Sequence, residues 1–311
     1  MADPTFRNYT PQQAASYAAH RGEYELDIYN EVLAYHTSHG GSLGTVFDVG
    51  CGTGSATRRL AGYFARAAGC DPGREMMAKA IDLGGETKDK SAIQYELLAA
   101  ESLDESVHLR PGSVDLLTAA MAAHWFDMDR FWHQAGRMVK PGGTVALWTK
   151  SSLYCHPSTP NASQVQQALS HLEDDILGPY ELPANNVCRT MYANLLMPWS
   201  ADPPVAGAFP QRLSVRREWN RDGKLEPGQD DFYGGSSVTT LADLAKGLGT
   251  SSMVTRWRED HPGLVGTDGD CVVQTMKAVA EAIMGEGAEE FGGVAIKVGC
   301  AATLLLFTRA E

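Results

Sequence analysis

The sequence predicts an α/β fold built around a doubly wound, mostly parallel sheet. Short apolar runs, which are typical of buried parallel strands, alternate with helical stretches over residues 46–148. The first run ends in a group of glycines, as expected where a chain turns sharply from strand into helix. Two apolar runs near the end predict an antiparallel C-terminal hairpin at the sheet edge. Seven strands are expected, at 46–49, 67–71, 93–97, 114–120, 144–148, 294–298 and 303–307.

Helical signals precede the sheet. Thr10 can cap a first helix, Pro11 suits its first position, and Gln13 can close a capping box. A second helix with one apolar face is expected to end at the glycines 40–41. About 145 residues separate the fifth and sixth predicted strands, whereas a compact crossover needs only roughly 10–30. We therefore expect an N-terminal helical arm (1–40), a core (41–150 and 290–311) and an inserted substrate cap with core helices (151–289).

The composition restricts the possible partners. The chain of 311 residues has a net charge of −12, whereas phosphate binding needs clustered Lys and Arg, so we expect no nucleic-acid partner and no membrane partner. Six scattered cysteines without a C-x-x-C pair argue against disulfides and against a metal site. The polar N-terminus predicts no signal peptide, and no apolar run reaches the ~18 residues that span a bilayer. We expect a cytoplasmic monomer or homodimer.

The strongest local signal is the glycine-rich segment 48–55. Gly50, Gly52 and Gly54 leave the backbone around Cys51 bare, so that a ligand can approach it closely. Their spacing, G-x-G-x-G, differs from the G-x-G-x-x-G of dinucleotide-binding loops. Asp48 would repel a pyrophosphate but can face a cationic amine or sulfonium through a water molecule or a backbone group. The segment predicts a cofactor site that is not for nicotinamide; the alternative is an ordinary strand–helix turn.

The ends of the next strands supply further candidate cofactor contacts. Asp71 ends the second predicted strand, where its carboxylate can accept both hydroxyls of a ribose, or else cap the helix after Pro72. Ala100 and Glu101 follow the third strand, at the position for an adenine amine, although Glu101 could be a solvated loop acid. The remaining candidates are Met76, at the adenine or in core packing, and Ala120 and Met121, beside the methionine part of a cofactor.

These elements resemble the class I S-adenosylmethionine-dependent methyltransferases through residues 46–148 and the C-terminal strands. The resemblance implies a Rossmann-like sheet, S-adenosyl-L-methionine as methyl donor and S-adenosyl-L-homocysteine as product. A narrower resemblance, to the trans-aconitate methyltransferase family and its fungal small-molecule relatives, rests on segments 17–24, 123–127 and 177–180 and on Arg189. Gly22 replaces the proline of the first segment. Glu181 replaces a tryptophan, and an acid there disfavours a polyanionic substrate such as trans-aconitate.

The resemblance also implies roles for residues outside the glycine-rich segment. Tyr17 and Arg21 would close the arm over the cofactor, unless they simply belong to a surface helix. His124 would act as a base or touch the substrate, or else form a structural cap beside Trp125. The substrate contacts would come from Trp125, Tyr180 and Arg189. Core packing of Trp125 and a surface ion pair of Arg189 are the alternatives.

The function expected from the sequence is transfer of a methyl group to a carboxylate or hydroxyl oxygen of a small molecule, such as a secondary metabolite. A carboxylate needs no base, whereas a phenol, enol or amine would benefit from one. Three alternatives stay open. They are methylation of nitrogen, carbon or sulfur; a reaction such as cyclisation that uses the bound cofactor without methyl transfer; and a non-catalytic sensor of the cofactor.

Overall fold

The computed structural model describes residues 5–22, 24–285 and 292–311. Predictions for residues 1–4 and 23 of the arm, 286–289 of the cap and 290–291 of the core lie outside the described residues. The described strands are β1 Thr45–Val49, β2 Arg66–Asp71, β3 Gln94–Leu97, β4 Val114–Ala120, β5 Val139–Cys155, β6 Ser214–Trp219, β7 Ser237–Thr240 and β8 Ala295–Thr308.

Helices and short turns connect these strands. The described helices are α1 Pro11–His20, α2 Leu26–Ser38, α3 Ser55–Ala61, α4 Arg74–Leu83, α5 Met128–Met138, α6 Ala162–Ser170, α7 Pro183–Arg189, α8 Leu241–Leu248, α9 Ser252–Asp260 and α10 Cys271–Met284. A π-helical turn, His171–Ile176, continues α6. Among these described helices, none combines the length and the apolar composition that crossing a bilayer requires.

The described strands form one sheet in the order β3-β2-β1-β4-β5-β8-β6, with β7 beside the first residues of β8. Strands β1 to β5 run parallel to one another, and β8 runs antiparallel to β5, β6 and β7. The predicted doubly wound α/β fold is thereby confirmed. The strand order reverses between β1 and β4, and open α/β sheets bind their ligands in the crevice at such a point.

The C-terminal hairpin predicted from the sequence is wrong, because both apolar runs belong to the single strand β8. The residues between the runs form no turn; they continue the strand and lie opposite β5. Gly299 illustrates the reason. The ring of Phe232 packs against its backbone, and a Cβ atom at this position would collide with the ring. The missing side chain therefore serves close packing and not a reversal of the chain.

The described part of the sheet has eight strands and not seven. The two predicted C-terminal strands are the single strand β8, and β6 and β7 come from the range assigned to the cap. Strand β6 lies at the edge of the sheet and carries Arg216, Arg217 and Glu218 in succession. Charged residues are common on edge strands, where they discourage pairing with other chains. The apolar alternation by which strands are recognised is therefore absent from β6.

Helices cover both faces of the sheet. On one face α5 buries Phe131, Trp132 and Met138 against β4 and β5. On the other face α2 buries Ile28 and Val32 in a cluster that also includes α3. Each such side chain contributes at most about 1.5–3 kcal/mol to stability through its removal from water. A third cluster joins α6, α9 and α10 to the far ends of β5 and β8, so the cap shares a core with the two longest strands.

The start of α1 confirms the predicted capping box. The backbone N–H of Gln13 donates to Thr10 Oγ1 at 3.2 Å, and the backbone N–H of Thr10 donates to Gln13 Oε1 at 2.8 Å. These bonds satisfy donors that the first turn of a helix leaves free. Helix α1 packs against α4 in the core and against α8 in the cap. The arm therefore contacts both sides of the crevice.

Candidate active site

A large cavity lies at the carboxyl edge of the parallel strands, in the crevice between β1 and β4. Its volume is about 620 Å³, and it extends from the glycine-rich loop to the cap. This is the size and position expected of a small-molecule site. Asp48, Gly54 and Tyr180 do not line it. The predicted site residues that do line it are Tyr17, Arg21, Gly50, Cys51, Gly52, Asp71, Pro72, Met76, Ala100, Glu101, Ala120, Met121, His124, Trp125 and Arg189.

The glycine-rich loop exposes backbone to the cavity at Gly52. Gly50, Gly52 and Gly54 have positive φ angles of +64°, +56° and +81°. Leaving out adjacent residues, no described atom lies within 4 Å of where a Cβ would stand on Gly52. A Cβ on Gly50 would lie 2.6 Å from the Ala122 Cβ, and one on Gly54 would lie 2.5 Å from the Tyr95 hydroxyl. A ligand can therefore approach the backbone at Gly52, whereas Gly54 is required by packing against Tyr95.

Asp48 lies behind the loop and does not face the cavity as the sequence-based interpretation expected. It is fully buried and accepts hydrogen bonds from the hydroxyls of Thr57 and Thr118, both at 2.7 Å. Burial raises the pKa of Asp48 to about 6, although these hydrogen bonds act in the opposite direction. Asp48 thus ties β1 to the first turn of α3 and to β4. Asp48 would therefore affect a ligand only indirectly, by holding the glycine-rich loop in its conformation.

Asp71 lines the cavity at the end of β2. Its Oδ2 accepts the backbone N–H of Gly52 at 3.0 Å, and its Oδ1 accepts that of Gly73 at 2.7 Å. Burial raises the pKa of Asp71, and the two N–H groups partly offset this rise. Each carboxylate oxygen keeps a lone pair for a further donor such as a hydroxyl. The position therefore allows both predicted roles, since Asp71 also orders the turn before α4.

The ends of β3 and β4 complete the wall of the cavity next to the loop. Glu101 lies in the 3-10 turn Ala100–Glu105, and its Oε1 accepts the backbone N–H of Asp127 at 2.8 Å. Glu101 therefore has a structural partner as well as a place at the cavity. Met121 follows β4 with a φ of +53°, and its backbone N–H donates to the Trp148 carbonyl at 2.9 Å. Met76, in α4, is almost completely buried against residues of the arm.

Tyr17 and Arg21 bring the arm to the cavity. The guanidinium carbon of Arg21 lies 5.7 Å from the centre of the Tyr17 ring. The hydroxyl of Tyr24 donates to the Ala120 carbonyl at 3.3 Å and fixes the chain that follows Arg21. Within the described residues, no carboxylate forms an ion pair with Arg21. Its charge is thus available to a ligand in the cavity.

His124 lies just after β4, in the short 3-10 turn Ala123–Trp125. Its Nδ1 is 3.2 Å from the Tyr192 hydroxyl, which also lies 3.4 Å from the Trp148 carbonyl. This contact fixes the orientation of the imidazole ring. Burial lowers the pKa of His124 to about 3, and the charge of Arg21 adds to this effect. The ring is therefore neutral at physiological pH.

Arg189 lines the cavity and also forms the ion pair that the alternative interpretation expected. Its Nη2 lies 3.0 Å from Asp174 Oδ1, and its Nε lies 3.4 Å from Glu181 and 3.8 Å from Glu173. Three carboxylates therefore surround one guanidinium. The acid at 181, which the sequence analysis noted as a departure from the trans-aconitate methyltransferase pattern, is one of them.

Tyr180 does not line the cavity, although the sequence analysis expected it to contact a substrate. Its carbonyl accepts a hydrogen bond from Arg256 Nε at 2.9 Å, and its ring lies 6.4 Å from that of His261. Both partners belong to α9 or its C-terminal end. These contacts direct Tyr180 toward α9, where it supports the cap.

Several polar groups at the cap side of the cavity were not predicted from the sequence. Lys150 Nζ lies 2.6 Å from Glu25, and the hydroxyl of Ser152 donates to Glu173 at 3.0 Å. Burial raises the pKa of Glu173, and the Ser152 hydrogen bond and the charge of Arg189 offset part of this rise. Lys150 and Ser152 belong to the extension of β5 beyond residue 148. Because the predicted fifth strand ended at residue 148, the sequence analysis did not assign these residues to the site.

Comparisons with known proteins agree with this geometry. A family model described as a methyltransferase domain matches residues 47–147. The "Probable S-adenosylmethionine-dependent methyltransferase CRG1" of Saccharomyces cerevisiae is 32% identical over 136 residues, which cover 44% of this chain and 45% of the relative. A methyltransferase of Claviceps purpurea is 31% identical over 127 residues, which cover 41% of this chain and 38% of the relative. The match thus spans less than half the length of either curated relative.

A solved structure extends the likeness of the fold to most of the chain. A protein of Anaeromyxobacter dehalogenans, described as a "Putative Type II Methyltransferase", superimposes with a TM-score of 0.61 and 22% identity. The superposition covers 92% of this chain and 96% of the other, and at this identity it shows a shared fold alone. The region matched by the family model holds the glycine-rich loop, Asp71, Glu101 and His124. Residues 47–147 of this chain are therefore similar to a methyltransferase domain.

Proposed function

We propose that this chain is an S-adenosylmethionine-dependent methyltransferase that transfers a methyl group to an oxygen atom of a small molecule and releases S-adenosyl-L-homocysteine. The observation that carries the proposal is the open backbone of Gly52 beside the Asp71 carboxylate, in the crevice between β1 and β4. The matched methyltransferase domain and the relative named for dependence on S-adenosylmethionine support it.

The residues around the loop suit the parts of the proposed methyl donor. Asp71 can accept the ribose hydroxyls, and the backbone at Gly52 leaves room for close approach. Pro72, Met76, Ala100 and Glu101 would surround the adenine, and Tyr17, Arg21, Ala120 and Met121 would surround the methionine part. When bound, S-adenosylmethionine supplies a methyl group on a positively charged sulfur. The protein then needs mainly to align the acceptor and to exclude water.

The state of His124 favours an acceptor that ionises without help. A neutral imidazole can accept a proton, but a pKa of about 3 makes it a weak base. A carboxylate is already ionised at neutral pH and needs no base. We therefore propose that His124, held by Tyr192, positions the acceptor oxygen, and that Arg21 offers a positive charge beside it.

Calorimetric titration with S-adenosyl-L-homocysteine tests the donor half of the proposal. We expect the native protein to bind it and Asp71→Asn to bind it roughly 10- to 100-fold more weakly, because a hydrogen bond to a charged group contributes about 1.5–3 kcal/mol. Asp82→Asn is the matched control, since Asp82 is an exposed acid paired with Lys79 on the outer side of α4. Absence of binding by the native protein, or equal binding by Asp71→Asn, would contradict the proposal.

Incubation with methyl-labelled S-adenosylmethionine and a panel of acids, phenols and amines tests the second half. Label that appears as base-labile methyl ester supports oxygen methylation of a carboxylate, whereas label on nitrogen, carbon or sulfur contradicts it.

Several expectations stay predictions from the sequence. They are a role in secondary metabolism, a cytoplasmic location, the absence of a nucleic-acid partner and the monomeric or homodimeric state. The boundaries of arm, core and cap, and the narrower resemblance to the trans-aconitate methyltransferase family, also stay predictions.

A further inference from the structure

The part of the cavity that lies under the cap has an apolar wall. We call it the acceptor chamber and define it by Leu153, Leu172, Leu177, Leu244, Leu248 and Met253. Leu172, Leu177 and Met253 belong to the buried cluster that joins the cap helices to β5 and β8, and the other three pack against that cluster. An apolar ligand that excludes water from such a surface makes the free energy of binding more favourable.

The positive charges that line the acceptor chamber already have partners. Lys150 Nζ lies 2.6 Å from Glu25 Oε1, and the side chains of both residues are less than a quarter exposed. Arg189 lies within 4 Å of Asp174, Glu181 and Glu173. A second anionic group on a ligand would therefore meet neutralised cations and the negative field of three carboxylates. The acceptor chamber is unsuited to a molecule with several carboxylates.

Arg21 differs from these cations. Within the described part of the chain it has no carboxylate partner, and its guanidinium carbon lies 5.7 Å from the centre of the Tyr17 ring. Arg21 lines the same cavity as His124, which follows β4, and Cys188, which belongs to helix α7 of the cap. This is the junction between the glycine-rich loop and the acceptor chamber, where a transferred methyl group would meet its acceptor.

We infer that the methyl acceptor is an amphiphile with a single acidic oxygen group, which Arg21 holds beside His124, and an apolar body, which fills the acceptor chamber. This inference rests on the proposed function and adds the class of substrate to it. It places the selection of substrate in the cap, through two features: apolar side chains that favour a long apolar body, and ion pairs that occupy the charges of Lys150 and Arg189.

A chain-length series measures both features without requiring turnover. The protein is saturated with S-adenosyl-L-homocysteine and titrated by calorimetry with hexanoate, octanoate, decanoate and octanedioate. We expect Kd to fall about fourfold for each added methylene while the chain stays within the acceptor chamber. Octanedioate, which carries a second carboxylate at the far end, should bind at least about tenfold more weakly than octanoate.

Three variants assign these effects to residues. Leu244→Asn should flatten the dependence on chain length, whereas Leu83→Asn, at an exposed leucine at the end of α4, should leave it unchanged. Glu173→Gln keeps the hydrogen bond from Ser152 and removes one charge beside Arg189, so it should strengthen octanedioate binding severalfold and leave octanoate unchanged.

The third variant, Arg21→Gln, separates charge from apolar contact. It should weaken octanoate binding about tenfold or more and leave 1-octanol binding unchanged, because only the former carries a charge. Asp175→Asn, an outward-facing acid paired with His171, is the control for Glu173→Gln. Equal affinity for hexanoate and decanoate, octanedioate binding as tightly as octanoate, or no decanoate binding up to its solubility limit would overturn the inference. Failure of S-adenosyl-L-homocysteine to bind would contradict the proposed function instead, and the same fatty-acid titrations on the protein alone would still test the chamber.

Discussion

Replacing Asp48 with asparagine tests the effect of burial on the acid behind the glycine-rich loop. Burial raises the pKa of this carboxyl from 3.8 to about 6, because two threonine hydroxyls only partly replace the water around its charge. The folded protein therefore keeps the proton at pH values where the unfolded chain has released it. Stability contributed by this group consequently falls as the pH rises from about 4 through about 6, and the total change is about 3 kcal/mol.

Between pH 5 and pH 8 the contribution of this group to the free energy of unfolding falls by about 1 kcal/mol. Asp48→Asn cannot titrate. Its amide can accept from one threonine and donate to the other, since a hydroxyl also accepts. The unfolding free energy of the variant, relative to the native protein, should therefore rise by about 1 kcal/mol between pH 5 and pH 8.

Urea unfolding of both proteins at the two pH values provides the measurement. Asp82→Asn serves as the control, because Asp82 is exposed beside Lys79 and its relative stability should not change over this range. The reasoning is refuted if the difference between Asp48→Asn and the native protein is equally constant. It is also refuted if the difference changes in the opposite direction, since that would mean that the folded protein stabilises the ionised carboxylate.

Three further changes have outcomes that follow from contacts in the structure. Gly50→Ala should abolish binding of S-adenosyl-L-homocysteine in calorimetry, because its Cβ would lie 2.6 Å from that of Ala122 and its φ is +64°. His124→Gln should leave the shape of the pH–rate profile unchanged between pH 5 and pH 8, because a pKa of about 3 keeps the imidazole neutral throughout; an inflection near pH 6.5 that vanishes in the variant would contradict this. Gly299→Ala should lower the free energy of unfolding by about 1–3 kcal/mol in urea titrations, because the new Cβ collides with the ring of Phe232; an unchanged value would show that the ring can move aside.

The sequence predicted the part of the fold in which local signals and tertiary contacts agree. Strand β4 begins and ends at the same residues as the apolar run that predicted it. The capping box of Thr10 and Gln13 forms as expected. The loop glycines are recognisable because positive φ angles leave few alternatives to glycine. Asp71 could be predicted because the end of a parallel strand fixes where its side chain lies.

The remaining features depend on contacts between distant parts of the chain. Gly299 lies within a strand, paired with Tyr154 and packed against the Phe232 ring, and nothing in the neighbouring residues reveals these partners. Asp48 and Tyr180 were assigned to the cavity from their place in a motif. The Asp48 carboxylate instead accepts hydrogen bonds from threonine hydroxyls. Tyr180 contacts Arg256 through its backbone carbonyl and His261 through its ring. The ion pairs of Arg189 join residues of the cap that no periodic pattern connects.

Strands β5 and β8 are 17 and 14 residues long, and their pairing extends from the cofactor crevice into the region beneath the cap, with one shift of register between Lys150 and Leu153. A hinge movement of the cap relative to the core would have to strain this hydrogen-bonded pair of strands. Helix α1 lies outside the sheet, where it packs against α4 and α8, and the Tyr9 hydroxyl before it lies 3.4 Å from the Thr250 carbonyl. We therefore expect ligands to enter and leave the cavity past the ten-residue helix α1. Movement of this helix would then set the rate of product release.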